Sequence, residues 1–425
     1  MSGRPQTLAG WLAYLETLHP KAIALGLDRV REVHSRIDAP IGCPVVTIGG
    51  TNGKGSTCAM LDAMLRGAGF RTGMYASPHL LRYNERVRLD GVEASDERLV
   101  AAFNAVEDVR NGVPLTYFEF GTIAALWLFA RARLDALVLE VGLGGRLDAV
   151  NVVDADVAVL TSIDIDHVDY LGPTREDIGR EKAGIFRAGR PAICADPHPP
   201  ASVEAGAQAV GAKLLLLGRD YDYTDERTQW RYRGPRGERF GLPVPALRGA
   251  HQLANAATAL ACLDVLHDVL PVNAQAVREG LLTVSLPGRF QVLPGRPTVV
   301  LDVAHNPHAA RALAGALGNM GYHAETFAVC AMLADKDADG VIAALRPHAT
   351  RWFVSGLPGA RGDDGGRVRN ALTAAGVASS SVRAFADVAG AYQAARETAL
   401  EADRIVVFGS FLTVAAALSA DARMH

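Results

Sequence analysis

Apolar positions along this chain change period in a repeating order. Val45-Val46-Thr47-Ile48 is a β-branched run suited to a strand buried on both faces. Glycines 49, 50, 53 and 55 follow, and then Met60, Leu61, Met64 and Leu65 recur on one side of residues 56–66, which predicts a helix ended by Gly67 and Gly69. Further strand-like runs at 73–76, 136–141 and 157–162 alternate with helical stretches at 99–109 and 120–131. Alternation of this kind predicts a mostly parallel sheet covered by helices. Ahead of it, residues 8–18 form a short amphipathic helix, and the His19-Pro20-Lys21 break leads to a second at 27–37.

Between 221 and 245 the pattern becomes aromatic and charged in alternation, including Trp230-Arg231-Tyr232-Arg233, which reads as edge hairpins; any half-exposed strand shows such alternation, so a nucleic-acid strip does not follow from it. A strong helix follows at 250–267. Prolines and glycines at 286–297 then precede a fresh strand series, Thr298–Leu301, 326–331, Arg351–Ser355 and Arg404–Phe408. The expected fold is α/β: an N-terminal phosphate-loop domain over 1–288 with a mostly parallel sheet, a linker at 289–297, and a smaller Rossmann-like α/β domain over 298–425.

Composition narrows the function classes. With 425 residues, 49% apolar and 21% charged, the chain is long enough to bury substantial cores in two domains. A net charge of −3 without a long basic run gives no footprint for nucleic acid or an anionic membrane. Five cysteines stand singly, which fits a reducing cytoplasm rather than a disulfide framework. No export signal is expected, and the apolar stretch 123–130 is too short to span a bilayer before Arg131 and Arg133.

The strand–glycine–helix order at 45–66 is that of a phosphate-binding loop. Glycines let backbone N–H groups close on phosphate oxygens, the helix N-terminus adds partial positive charge, and Lys54 reaches the β- and γ-phosphates, with Ser56 or Thr57 facing a metal ion. The strict G-x-x-x-x-G-K-[ST] pattern fails, because Ile48 replaces its first glycine and Gly55 separates Lys54 from Ser56. A plain glycine turn, however, needs neither the lysine nor two hydroxyls. Glu140 ends a strand before the glycine-rich loop 141–151 and is placed to offer a carboxylate to magnesium. Ser77-Pro78-His79 and Asp164-Ile165-Asp166-His167 follow two other strands in the same way. In the second domain, Asp302 and Ser410 fall just past strand carboxyl ends, where open α/β sheets bind ligands. Composition alone makes Lys182 an exposed helical lysine.

Taken together, Gly50-Thr51-Asn52-Gly53-Lys54-Gly55-Ser56, Ser77-Pro78-His79, Thr116-Tyr117-Phe118-Glu119, the 140–151 loop, Glu181-Lys182, His251-Gln252 with Asn255, and Asp302-Val303-Ala304-His305-Asn306-Pro307 resemble the folylpolyglutamate synthase family of Mur-type ATP-dependent amide ligases. The resemblance spans nearly the whole chain, and Leu18-His19-Pro20-Lys21 with Leu25-Gly26-Leu27 is most similar to the bacterial bifunctional form, which is also a dihydrofolate synthase.

The resemblance implies that Thr51, Asn52, Gly53, Lys54, Gly55 and Ser56 hold the ATP phosphates, with Asn255, Arg289 and Asp302 as further nucleotide contacts. It implies that Ser77, Glu140 and His167 bind Mg2+, that two ions take part, and that Lys182 is carboxylated. Ala22, Ile23, Ala24, Thr116, Tyr117, Phe118, Glu119, Leu147, Asp148 and Ala149 would form the pteroate site, and His305 and Ser410 would hold the incoming L-glutamate. Lys54, Lys182 and His305 are the implied catalytic group. The implied substrates are ATP, L-glutamate, 7,8-dihydropteroate and tetrahydrofolates, used by a cytoplasmic monomer with no nucleic-acid or membrane partner. A cell-wall Mur ligase shares the ATP chemistry but normally carries a nucleotide-sugar domain ahead of the loop, which 44 residues do not provide. A phosphate-loop switch or motor would leave Asp302, His305 and Ser410 without a role.

Overall fold

The computed structural model describes residues 4–21, 23–359 and 361–423. They divide into two compact units, one comprising the chain up to Ala246 together with Leu253–Val284, the other Leu247–Gln252 with the chain from Ser285 onward.

The first unit is built on eight strands: β1 (Val45–Gly49), β2 (Thr72–Tyr75), β3 (Val87–Leu89), β4 (Val92–Glu93), β5 (Ala136–Glu140), β6 (Val157–Leu160), β7 (Pro191–Cys194) and β8 (Lys213–Leu216). They are ordered β4-β3-β2-β5-β1-β6-β7-β8, parallel from β2 to β8 with an antiparallel β3–β4 edge. Every residue of β1 and β5 is buried, as expected where helices cover both faces. One layer packs the helices Leu8–Thr17, Asp28–His34, Asp96–Arg110 and Tyr117–Ala130 around Trp11, Phe103 and Phe120. Another core gathers Leu160, Ile178, Ile185, Cys194 and Val203.

The helix after β1 is Lys54–Gly67, starting two residues before the expected 56 because Gly53, at φ 90°, turns the chain directly into it. The 221–245 segment is not an edge of the large sheet. It forms its own antiparallel sheet, β9 (Asp222–Asp225), β10 (Gln229–Gly234) and β11 (Gly237–Pro243), in the order β11-β10-β9. Trp230 and Tyr232 alternate along β10 and are fully buried, so the alternation marked one buried face without saying which sheet owned it.

The second unit holds β12 (Gln291–Leu293), β13 (Thr298–Leu301), β14 (Thr326–Cys330), β15 (Arg351–Ser355), β16 (Val382–Phe385) and β17 (Arg404–Phe408), ordered β12-β13-β17-β14-β15-β16. All pairs are parallel except β12–β13. β12 lies inside the segment read from sequence as a linker. Its core packs Val300, Leu313, Val341, Trp352 and Phe408.

Candidate active site

At the carboxyl end of β1 the backbone is stitched to the end of β6. Thr51 N–H donates to Ser162 O (2.6 Å), Asn52 N–H to Ser162 Oγ (3.0 Å), and Thr161 Oγ1 donates to Asn52 O (2.6 Å). Gly50 adopts φ 141°, and a Cβ there would collide with the Thr161 side chain, so only glycine fits. Lys54 Nζ curls back to Gly50 O (3.1 Å) and Thr51 O (3.2 Å). Asn255, on the helix His251–Leu266, stands so close that a Cβ on Gly53 would lie 2.6 Å from its Oδ1. Ser56 and Thr57 are buried in the first helical turn, and Gly55 lies between them and Lys54.

Lys182 departs most from its composition-based reading. It is 4% exposed, and its Nζ donates to Gly50 O at 2.8 Å. Burial, reinforced by the neighbouring Lys54 charge, pulls its amine down to about 7. Glu140, the last residue of β5, is also buried, and its Oε2 accepts the Ser77 N–H at 3.1 Å. His167, at φ 52°, precedes the short helix Val168–Leu171, with its Nε2 4.0 Å from Asp166 Oδ1. Among the described residues no three His, Cys, Asp or Glu side chains group as a metal site. A carboxylate and a hydroxyl beside a phosphate loop nevertheless suit Mg2+, which takes few protein ligands and completes its shell with water and phosphate oxygens; the imidazole is an unusual partner for so hard a cation.

The segments expected to hold the acceptor cluster in the same unit. Thr116 caps the helix Tyr117–Ala130, its Oγ1 accepting the Glu119 N–H while Glu119 Oε2 accepts the Thr116 N–H at 2.7 Å. The Phe118 ring lies 5.9 Å from that of Tyr75, and a Cβ on Gly142 would reach within 2.6 Å of it, so this glycine makes room for the ring. Tyr117 is half-buried against Tyr83. Asp148 is buried and accepts N–H bonds from Leu143 (2.8 Å) and Val150 (3.0 Å); burial outweighs these and raises its carboxyl to about 6. Leu147 and Ala149 flank it, and Leu147 O accepts the Gly26 N–H at 3.3 Å. Ile23 and Ala24 are half-buried, whereas Ala22 lies outside the described residues.

In the second unit, Asp302 follows β13 and accepts the N–H groups of Phe290 and Ala304, both at 2.8 Å; burial raises its carboxyl. The Arg289 guanidinium stacks 4.9 Å above the Phe411 ring, and the His305 ring lies 6.5 Å from the same ring. His305 Nδ1 bonds Val303 O at 2.8 Å, which makes it the protonated nitrogen and leaves Nε2 as the acceptor in the neutral ring. Ser410 caps the helix Phe411–Asp421. These four residues therefore share one edge of the second sheet. Sequence reasoning passed over Thr161-Ser162, which hold the phosphate loop.

Two family descriptions match the chain: the Mur ligase middle domain over residues 48–263 and the Mur ligase glutamate ligase domain over residues 288–411. The dihydrofolate synthase/folylpolyglutamate synthase of Escherichia coli K12 is 46% identical over 409 residues, covering 96% of this chain and 94% of that protein. The solved structure of E. coli FolC in complex with DHPP and ADP superposes with a TM-score of 0.93 at 44% identity, covering 99% of this chain and all of that one. A bifunctional folylpolyglutamate synthase/dihydrofolate synthase with Mn, AMPPNP and L-glutamate bound gives a TM-score of 0.90 at 45% identity, covering 98% of each chain. The chain belongs to the folylpolyglutamate synthase branch of the Mur ligase family.

Proposed function

We propose that this protein is an ATP-dependent amide ligase that adds L-glutamate to 7,8-dihydropteroate and to the γ-carboxylate of tetrahydrofolates, acting as a bifunctional dihydrofolate synthase and folylpolyglutamate synthase. The observation that carries the reading is the phosphate loop with Lys54 at a helix start and the buried Lys182 bonded to Gly50 O, in a chain that matches the E. coli enzyme over 96% of its length.

A carboxylate is a poor acyl donor because oxide is a poor leaving group. An acceptor carboxylate oxygen attacks the γ-phosphorus of ATP, the bond to the bridging oxygen breaks, and ADP leaves an acyl phosphate. The glutamate amine then adds to the acyl carbon, loses a proton and expels phosphate. The chain's part is positioning and charge neutralisation. The Thr51–Ser56 loop holds the phosphates, with the N–H groups at the start of the Lys54–Gly67 helix facing them, and Lys54 exchanges its loop carbonyls for phosphate oxygens. Asn255, Arg289 and Asp302 hold the nucleotide, Asp302 accepting from the ribose. His305 and Ser410 hold the glutamate, and Phe118 offers the pterin a stacking face beside Asp148 and the 22–24, 116–119 and 147–149 segments. Ser77, Glu140 and His167 would hold Mg2+, which when bound neutralises phosphate charge.

Lys182 is carboxylated in this reading. At a pKa near 7 a large share of the amine is neutral at physiological pH, so its lone pair adds to CO2 with loss of a proton. The resulting anionic carbamate would support a second Mg2+ where an ammonium would repel it. The enzyme works as a cytoplasmic monomer on small molecules; among the described residues no helix is long and apolar enough to cross a membrane.

The test is ADP release with glutamate and either dihydropteroate or tetrahydrofolate. Turnover is expected only when glutamate and an acceptor are both present; equal ATPase rates without them would refute the ligase reading.

A further inference from the structure

Two of the segments around the acceptor site are tied to one side chain that lies outside them. Arg29, near the start of the helix Asp28–His34, is half-buried and reaches across to the start of the helix Tyr117–Ala130. Its Nη2 donates to Glu119 Oε1 and to Ala24 O, both at 2.7 Å, while its Nε faces Glu119 Oε2 at 3.3 Å. Glu119 is itself buried, and the oxygen nearer Nε also closes the cap on the Thr116 N–H. One residue past Leu25, Gly26 N–H bonds Leu147 O, next to Asp148. The 23–26 segment is thus pinned at one end to the Thr116–Glu119 turn through Arg29 and at the other to the 147–149 loop.

This arrangement needs an arginine. A planar guanidinium presents donors in a fixed fork, so it grips both carboxylate oxygens and still has an N–H directed at a carbonyl; a lysine ammonium lacks that planar geometry. The stretch carrying Ile23 and Ala24 has no helix or strand of its own, so its path rests on such side-chain contacts.

We infer that Arg29 is a positioning residue for the acceptor: through Ala24 O and Glu119 it sets the spacing between the 23–26 segment and the Thr116–Phe118 turn, and so the affinity for dihydropteroate. The inference rests on the acceptor site proposed above, and touches neither ATP nor glutamate.

Steady-state ADP release at saturating ATP and glutamate, with dihydropteroate varied, tests it alongside thermal melting. R29M keeps an aliphatic stem and is expected to raise KM for dihydropteroate roughly 10- to 100-fold, with KM for ATP within about 2-fold of wild type, and R29K to recover part of the loss. R29M also strands the buried Glu119 carboxylate. Combining it with E119Q relieves that penalty, so R29M/E119Q should regain melting temperature over R29M while its KM stays well above that of E119Q alone. R110Q removes a comparably buried ion pair, Arg110–Glu107, and should lower the melting temperature with dihydropteroate KM unchanged. A wild-type KM in R29M, a KM in R29M/E119Q equal to that of E119Q, or the same KM rise in R110Q would each overturn the inference. Failure of the wild-type protein to release ADP on addition of dihydropteroate would instead sink the functional reading beneath it.

Discussion

An amine sealed from water beside the Lys54 charge binds its proton less well than the same amine in an unfolded chain. For Lys182 the ordinary value of 10.5 falls to about 7, which has a sign and a window. Between about pH 7 and 10 the unfolded chain carries the extra proton and the folded chain does not, so this group makes stability rise with pH there; below about 7 both forms are protonated and its slope vanishes. In CO2-free buffer, the urea midpoint of the wild-type protein should climb from pH 7 to pH 9 relative to K182M, and parallel midpoints would show that the amine is not depressed. The proposed carbamate makes a separate prediction. K182A should lose activity and regain part of it with millimolar acetate or a similar small carboxylate occupying the vacated space. Rescue by ammonium-bearing amines instead of carboxylates would assign the residue a cationic role. The burial of Lys182 was not legible from composition, which places lysines at the surface; burial against Gly50 depends on a tertiary contact 132 positions away.

At the level of elements, what the sequence showed and what it hid divide along local and non-local signals. β1, the loop and its helix were readable because the period changes from a solid apolar run to a helical stripe across glycines, all within about 20 residues. β7 opens on a proline and β8 on an exposed lysine, so neither shows the valine-rich run that marked β6 and β13 at the same length of four residues, and β12 has only three residues. The candidate site residues followed the same rule. Glu140, Asp302 and Ser410 were visible as polar residues at strand ends, whereas the Thr161-Ser162 brace becomes a brace only once β6 lies beside β1. That brace leads to an element-scale prediction. G50A puts a Cβ into Thr161 at a φ of 141°, so the β1–helix turn must shift away from β6. The expected cost is about 1–3 kcal/mol of stability and a fall in ADP affinity of tenfold or more, since the loop amides no longer converge on the phosphates. Calorimetric titration with ADP and a urea melt check both, and a folded G50A with wild-type ADP affinity would remove this glycine from nucleotide binding.

Across the whole molecule, the second compact unit takes up the chain at Ser285, beside the proline–glycine run near 286–297, yet the inclusion of Leu247–Gln252 in that unit was not readable, because six residues entering a helix carry no mark of which core they join. Each unit nevertheless owns its apolar core, one around Trp11, Phe103 and Phe120, the other around Val300, Trp352 and Phe408. Cooperativity within a core is high and two-state behaviour commonly fails across several domains, so the chain should unfold in more than one step. Scanning calorimetry is expected to give a total enthalpy larger than the van't Hoff enthalpy of its main transition. Hydrogen exchange in increasing urea should release peptides of β1 and β5 at a different midpoint from those of β14 and β17. ADP adds a direction: at 100 times its Kd, ligand bound only to the folded phosphate loop stabilises by about 2.7 kcal/mol, and the β1 and β5 peptides should carry that shift. Coincident midpoints for both sets of peptides, moving together with ADP and with an enthalpy ratio of one, would show instead that the two cores melt as a single cooperative body.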